Sequence, residues 1–187
     1  MIRDPQGVRA DHLQIDSVEV TANGGEIGMI AYPGRIVFPQ HPREAERKLE
    51  TDLRAIRNWG AKALVSLLEV YEFELLQIRG LPDKAQAAGL EWHHLPIRDM
   101  EIPERIFEQA WLETGDRLRA LLRSGQRVVL HCYAGLGRTG TIAARLLVEF
   151  GVTPEEAIRR VRAARPGAIQ TKEQEKYVRR CKTVRRG

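Results

Sequence analysis

The stretch Arg127-Val128-Val129-Leu130-His131-Cys132-Tyr133-Ala134-Gly135-Leu136-Gly137-Arg138-Thr139-Gly140 decides the reading of this chain. Its first part is an apolar run of buried-strand character, and Thr141 to Phe150 after it reads as a helix. A cysteine therefore leaves a strand, a glycine-bearing loop curls, and an arginine opens a helix. Such a turn aims several backbone N–H groups and a helix N-terminus at one point, which makes an anion site. The same field favours a thiolate at Cys132. A nucleophile and a phosphate cradle then share one loop, and the expected chemistry is cysteine-dependent phosphate-ester hydrolysis.

The loop resembles the signature of the protein tyrosine phosphatase superfamily: a cysteine, five residues, an arginine, then Ser or Thr. His131, Cys132, Gly135, Arg138, Thr139 and Gly140 all match, and HCYAGLGR is most similar to the kinase-associated, atypical dual-specificity branch. Cys132 is the expected nucleophile, with its thiol activated by the loop amides and Arg138. Tyr133, Ala134, Gly135, Leu136 and Gly137 form the expected phosphate-binding loop. Arg138 adds a planar fork suited to two phosphate oxygens, a geometry lysine does not copy. The resemblance implies that His131 holds the loop backbone rather than taking a proton. Thr139 either steadies Cys132 as a leaving group or serves backbone donors at the helix start.

The family also uses an upstream aspartate, placed after a strand, to protonate the leaving oxygen. Asp99 in Leu95-Pro96-Ile97-Arg98-Asp99-Met100 lies 33 residues before Cys132 and is the expected general acid. Tyrosine-specific members carry Trp-Pro-Asp there, whereas this chain has Ile-Arg-Asp, and Glu101 and Glu104 stand as substitutes. Ile169-Gln170-Thr171-Lys172-Glu173-Gln174 resembles the glutamine loop that holds water in several members. Thr171 with Gln174 also makes a capping box, which leaves Gln170 as the better water-positioning candidate. Glu69, Tyr71 and Glu72 are candidates for the cleft mouth. Trp59, Trp92 and Trp111 read as core, and His93 and His94 as strand neighbours facing opposite sides.

At 187 residues, 43% hydrophobic, the chain buries a full core without staples. We expect one domain, with 1–60 as N-terminal scaffold, 61–178 as catalytic core and 179–187 as a basic tail. No stretch approaches a membrane span, and Met1 to Asp11 lacks an apolar signal core, so a cytoplasmic location is expected. Two cysteines, Cys132 and Cys181, exclude a disulfide framework, and Cys181 is either an oxidation partner of Cys132 or an inert helical residue. Ala157 to Gly187 carries a net +9, while the whole chain carries +5. This basic end is either solvated helical faces or a lure for anionic partners. Only Tyr177 interleaves it, so a nucleic-acid platform is poorly supported.

Leu13–Thr21 and Glu26–Tyr32 flank Asn23-Gly24-Gly25 as a hairpin. Pro33-Gly34 and Pro39 then mark a loop, and Ala45, Leu49, Leu53 and Ile56 share a helical face ending near Gly60. Ala63–Leu68, Leu90–Ile97 and Arg127–Cys132 read as buried strands. A helix over Pro103–Leu122 is expected to bury Ile106, Phe107, Ala110, Trp111, Leu118 and Leu122. Thr153-Pro154-Glu155-Glu156 reads as a capping box, and Thr171–Val184 as a final helix. The sum is an α/β fold, cysteine-phosphatase-like, with a mostly parallel central sheet flanked by helices and an N-terminal hairpin.

The expected substrate is a phosphorylated protein, phosphotyrosine with or without phosphoserine and phosphothreonine, hydrolysed through a cysteinyl-phosphate without metal or cofactor. The loop has no lysine, and lipid phosphatases of the superfamily resemble one another in having extra ones. The alternatives are a phosphate-binding pseudophosphatase and a rhodanese-type sulfurtransferase, with RNA 5′-phosphate as a distant substrate.

Overall fold

A computed structural model describes residues 12–36 and 42–184. Met1–Asp11, Pro39 and residues 185–187 of the basic tail lie outside the described residues. A five-stranded sheet runs in the order β1-β2-β5-β3-β4, where β1 is Asp16–Glu19, β2 Glu26–Ala31, β3 Ala61–Ser66, β4 Glu91–His94 and β5 Arg127–Cys132. β1 pairs antiparallel with β2, and every other pairing is parallel. The expected hairpin and mostly parallel sheet are both present. The helices are α1 (Pro42–Asn58), α2 (Val70–Leu75), α3 (Leu81–Ala87), α4 (Arg105–Arg123), α5 (Gly137–Glu149), α6 (Pro154–Ala164) and α7 (Lys172–Arg180).

β5 is central and buried on both faces, which explains its unbroken apolar run. Val128, Leu130 and Cys132 face one core, completed by α4 to α7, whereas Val129 faces a second, completed by α1 to α3. The alternation places consecutive side chains of β5 in different layers. The loop after β5 therefore emerges between the layers, at the carboxyl end of the sheet's central strand.

Several elements differ from expectation. α2 and α3 fill what the chain pattern leaves as a connection. α2 closes a reciprocal capping box between Glu69 and Glu72, and α3 carries Pro82 in its first turn. β4 stops at His94, because Pro96 offers no N–H, although the Leu95 and Ile97 amides still bond to Ser66 and Leu67. On α4 the buried stripe is Phe107, Trp111, Gly115, Leu118, Leu121 and Leu122. Ile106 is 76% exposed and Ala110 also faces solvent, since each lies one position off that stripe. α5 starts at Gly137 rather than Thr141, so Arg138 sits in its first turn. The Thr153 hydroxyl caps α6, but Glu156 turns to Arg159 and Arg160 instead of closing the box. α7 ends at Arg180, and the segment beyond it docks by Val184 N–H to the Glu149 carbonyl. Among the described residues no helix is long and apolar enough to cross a membrane.

Candidate active site

The loop from Cys132 to Arg138 is shaped from outside by its carbonyls. The Tyr133 carbonyl accepts from Tyr32 N–H (3.3 Å), and that of Leu136 from Gly140 N–H (2.9 Å) and Ile169 N–H (3.3 Å). The Ala134 carbonyl accepts from Arg165 Nη2 at 2.9 Å. In a trans peptide the next N–H points the opposite way. The amides of Ala134, Gly135 and Gly137 are therefore turned off these anchors, and none has an acceptor among the described residues. Gly135 sits at φ +71°, and a Cβ there would lie 2.2 Å from the Ile30 carbonyl oxygen, so the loop presses on β2 as only glycine allows.

Arg138 is 1% exposed, and its guanidinium is held on one edge. Nη1 donates to Glu72 Oε2 (2.7 Å) and the Ile97 carbonyl (3.0 Å), while Nη2 donates to Glu72 Oε1 (3.0 Å). Asp99 Oδ1 lies 3.0 Å from the same Nη2. Burial disfavours the charged guanidinium, but Glu72, the Cys132 thiol and Asp99 outweigh it and raise the pKa. Nε is buried without a partner among the described residues. A fixed, fully charged arginine thus keeps one N–H unused beside a loop of unused amides, an arrangement completed by an anion.

The other expected residues fall into place around this centre. Cys132 is 3% exposed at the end of β5. Asp99 is brought to Arg138, whereas Glu104 pairs with Arg98 at 3.6 Å, and the Glu101 carbonyl accepts from Gln174 Nε2. Asp99 keeps most of its side chain in solvent, 61% exposed. Thr139 is fully buried, with its hydroxyl lacking a partner among the described residues. Gln170 is exposed, and its Oε1 lies 2.7 Å from where a Cβ on Gly137 would sit, directly over the loop. Gln174 is fully buried and spent on the backbone: Oε1 accepts from the Gln170 and Thr171 amides at 3.0 and 3.2 Å. It staples the Asp99-bearing segment to the start of α7.

His131 lies on the opposite face from Cys132, fully buried, with Nε2 2.6 Å from Ser66 Oγ. Burial pushes its pKa down to about 3, with partial opposition from the backbone of Cys132. The ring is neutral at ordinary pH and is no proton acceptor for the thiol.

Sequence reasoning places Glu72 only at the cleft mouth and does not reach Arg165 or Ser66. Glu72 announces itself through its capping box, and the other two have no local signal. Cys181 is distant from Cys132. Its Sγ bonds the Tyr177 carbonyl, and Glu149 and Arg145 at the far end of α5 face it. α5, 13 residues and about 20 Å long, runs from the Cys132 loop toward the end where Cys181 lies. Burial pushes the Cys181 thiol up to about 11, and the residue sits just past the C-terminus of α7. The basic end is largely ion-paired internally: Arg159 and Arg160 with Glu156, Arg162 and Arg179 with Glu175, Arg165 with Asp16, Lys176 with Glu173.

Residues 40–152 match the model of a family described as Tc-R-P, a polymorphic toxin system DSP-PTPase phosphatase. Cyclin-dependent kinase inhibitor 3 from Homo sapiens is 30% identical over 155 residues, covering 81% of this chain and 69% of that protein. Protein tyrosine phosphatase type IVA 3 from Homo sapiens is 30% identical over 140 residues, covering 74% of each. A crystal structure of kinase associated phosphatase, with serine substituted for its catalytic-site cysteine, superposes with a TM-score of 0.74. That pair is 26% identical, over 89% of this chain and 92% of that one.

Proposed function

The chain belongs to the DSP-PTPase phosphatase family and is a protein-tyrosine/dual-specificity phosphatase, and we propose a residue-level mechanism in which Cys132 is its nucleophile. The observation that carries this reading is the Arg138 guanidinium. Glu72 fixes one edge of it, and its buried Nε–H has no partner among the described residues. A phosphate dianion supplies the missing acceptor and displaces the exposed Asp99 carboxylate from Nη2. Three oxygens are then held by Arg138 and the amides of the Tyr133–Gly137 loop.

The Cys132 thiolate attacks phosphorus in line, forming the S–P bond as the P–O bond to the substrate breaks. Asp99, freed from Arg138 and protonated, gives its proton to the departing oxygen. In the second step Asp99, now ionised, takes a proton from a water placed by Gln170, the water oxygen attacks phosphorus, and Cys132 leaves with help from the Thr139 hydroxyl. Inorganic phosphate departs. Positioning and charge stabilisation do most of the catalytic work in such a transfer. This mechanism routes no step through a metal or cofactor.

The substrate we assign is a phosphorylated protein, with phosphotyrosine leading and phosphoserine or phosphothreonine accepted. A phosphotyrosine-containing loop or peptide is reached by a cradle without lysines. Six cations of the basic end are engaged in ion pairs with Glu156, Glu175, Asp16 and Glu173, so the charge there is not by itself an argument for RNA or an inositide. A reducing cytoplasm suits the free thiol.

The test is hydrolysis of a generic aryl phosphate with EDTA present, by wild type and Cys132→Ser in parallel. Turnover that disappears in the variant supports the mechanism. Phosphate binding without turnover by reduced wild type would favour a pseudophosphatase, and thiosulfate turnover a sulfurtransferase.

A further inference from the structure

Three polar side chains on the α1–α3 face of the sheet form a chain of hydrogen bonds that the mechanism above leaves unused. In parallel register Ser66 stands opposite His131 on one side and His94 on the other, with Trp92 two residues before His94. Trp92 Nε1–H donates to Ser66 Oγ at 2.9 Å, and Ser66 Oγ lies 2.6 Å from His131 Nε2. Ser66 and His131 are fully buried.

Donor counting gives the second bond a direction. An indole nitrogen only donates, so Ser66 Oγ is the acceptor in the first bond. Ser66 has no other side-chain partner among the described residues, so its hydroxyl proton has one destination, His131 Nε2. The reverse assignment, with Nε2–H donating, would bury a hydroxyl proton without an acceptor. Burial keeps the ring neutral, and the charged or titratable groups facing it, Arg138 on α5 and His94 on β4, act in the same direction. A neutral ring that accepts at Nε2 carries its proton on Nδ1. That nitrogen is buried with no hydrogen-bond partner among the described residues, and the neighbouring backbone of Cys132 is what favours a proton on the ring.

We propose that Ser66 and Trp92 are positioning residues: Trp92 Nε1–H to Ser66 O–H to His131 Nε2 is a one-way relay that holds His131 as its Nδ1–H tautomer and so orients the Cys132 peptide at the entrance of the phosphate loop. Successive side chains on a strand point to opposite faces, so His131 reaches the thiol only through that backbone. A Cys132 carbonyl drawn to the ring side would turn the following N–H, that of Tyr133, into the loop. The relay is anchored at its far end by an aromatic rack. Trp92 stacks on His94 at 5.6 Å and 16°, Phe73 meets the two edge-on at 6.4 and 5.3 Å, and His94 Nε2 bonds the Leu68 carbonyl at 2.8 Å.

The proposal rests on the phosphatase reading of the loop, and its test separates the two. Imidazole ¹⁵N spectra of wild type should show Nδ1 protonated and Nε2 bare; a protonated Nε2 overturns the relay whatever the activity. Ser66→Ala should lose the single tautomer. Its kcat/KM on an aryl phosphate should fall about ten-fold with KM moved less than about two-fold, because positioning rather than binding is lost. Alkylation of Cys132 by iodoacetate at mildly acidic pH should slow by a similar factor. Folded Ser66→Ala with wild-type kcat/KM and alkylation refutes the proposal. Trp92→Phe keeps the ring and removes the donor, so it should mix the tautomers with a smaller rate loss, and it decides the matter if Ser66→Ala does not fold. If wild type turns over no phosphate ester, the mechanism fails while the tautomer and alkylation readouts still judge the relay.

Discussion

Removing the Glu72 carboxylate should cost both stability and rate, by amounts that separate its two duties. Glu72 and Arg138 form a bidentate pair at 2.7 and 3.0 Å, with 5% and 1% of the residues exposed. Breaking a buried pair from one side strands the other charge, at about 3–5 kcal/mol. The lower end applies here, because Asp99 and the Ile97 carbonyl remain on the guanidinium, although Asp99 is exposed and its attraction is screened. Glu72 Oε2 also accepts from Glu69 N–H at 2.7 Å, closing the cap of α2, and a lost cap costs about 1 kcal/mol. Glu72→Ala should therefore lose about 4 kcal/mol, and at about 2–4 °C per kcal/mol for a domain of this size its Tm should fall by about 8–16 °C. Glu72→Gln keeps an acceptor for the Glu69 amide and should lose correspondingly less. In both variants Arg138 loses its bidentate anchor, and kcat/KM for an aryl phosphate should fall by about 10²-fold. Thermal and urea denaturation with steady-state kinetics measure all of this. A Glu72→Ala protein within about 1 kcal/mol of wild type, or one with unchanged kcat/KM, would refute the claim that this pair aims the arginine.

Arg165→Met should release the Ala134 carbonyl from its 2.9 Å bond and slow aryl phosphate turnover about ten-fold. Retained wild-type rate would mean the Gly135 amide needs no such hold. His131, depressed by burial from 6.5 to about 3, binds its proton in the unfolded chain first. Stability should thus be full above about pH 6.5 and fall as pH drops toward 3, with a slope of up to about 1.4 kcal/mol per pH unit from this group. His93, also lowered by burial, adds to that slope. Urea titrations across that window, in wild type and His131→Gln, check it: an unchanged slope in the variant defeats the assignment. Cys181→Ser should leave turnover and peroxide sensitivity as in wild type, and non-reducing peptide maps of oxidised protein should show no Cys132–Cys181 link.

The ligand-free pairing of Asp99 with Arg138 gives substrate binding a second consequence. In the proposed mechanism the carboxylate that carries a proton to the leaving oxygen is tied at 3.0 Å to the cation that receives the phosphate. In that mechanism the incoming dianion would compete for the same guanidinium and free the acid as it binds. The exposed position of Asp99 allows this movement without disturbing the core, because the segment is held by Gln174 through the Glu101 carbonyl and not through the aspartate itself.

By itself the sequence determined much of what has a local cause, although the capping box that opens α2 and the proline in the first turn of α3 are local signals left unread. The loop from His131 to Gly140, the strand before it, the helix after it and the hairpin at Asn23-Gly24-Gly25 follow from neighbours in the chain, since turn chemistry and apolar periodicity act over a few residues. The Thr171–Gln174 box was legible for the same reason. Side-chain partnership was decided only by the tertiary structure. Glu72 meets Arg138 across 66 positions, Ser66 meets His131 across 65, and Arg165 meets Ala134 across 31. Strand order makes the first two meetings, because β3 pairs with β5, whereas Arg165 at the end of α6 is held toward the loop through Asp16 of β1. The same long-range placement sorted candidates that look alike in one dimension. Gln174 is consumed by backbone amides while Gln170 stays over the loop, and Asp99 reaches Arg138 while Glu104 is taken by Arg98. Local chemistry writes the nucleophile and its cradle, but the partners that aim them are fixed by pairing and burial between distant segments, which no short-range pattern encodes.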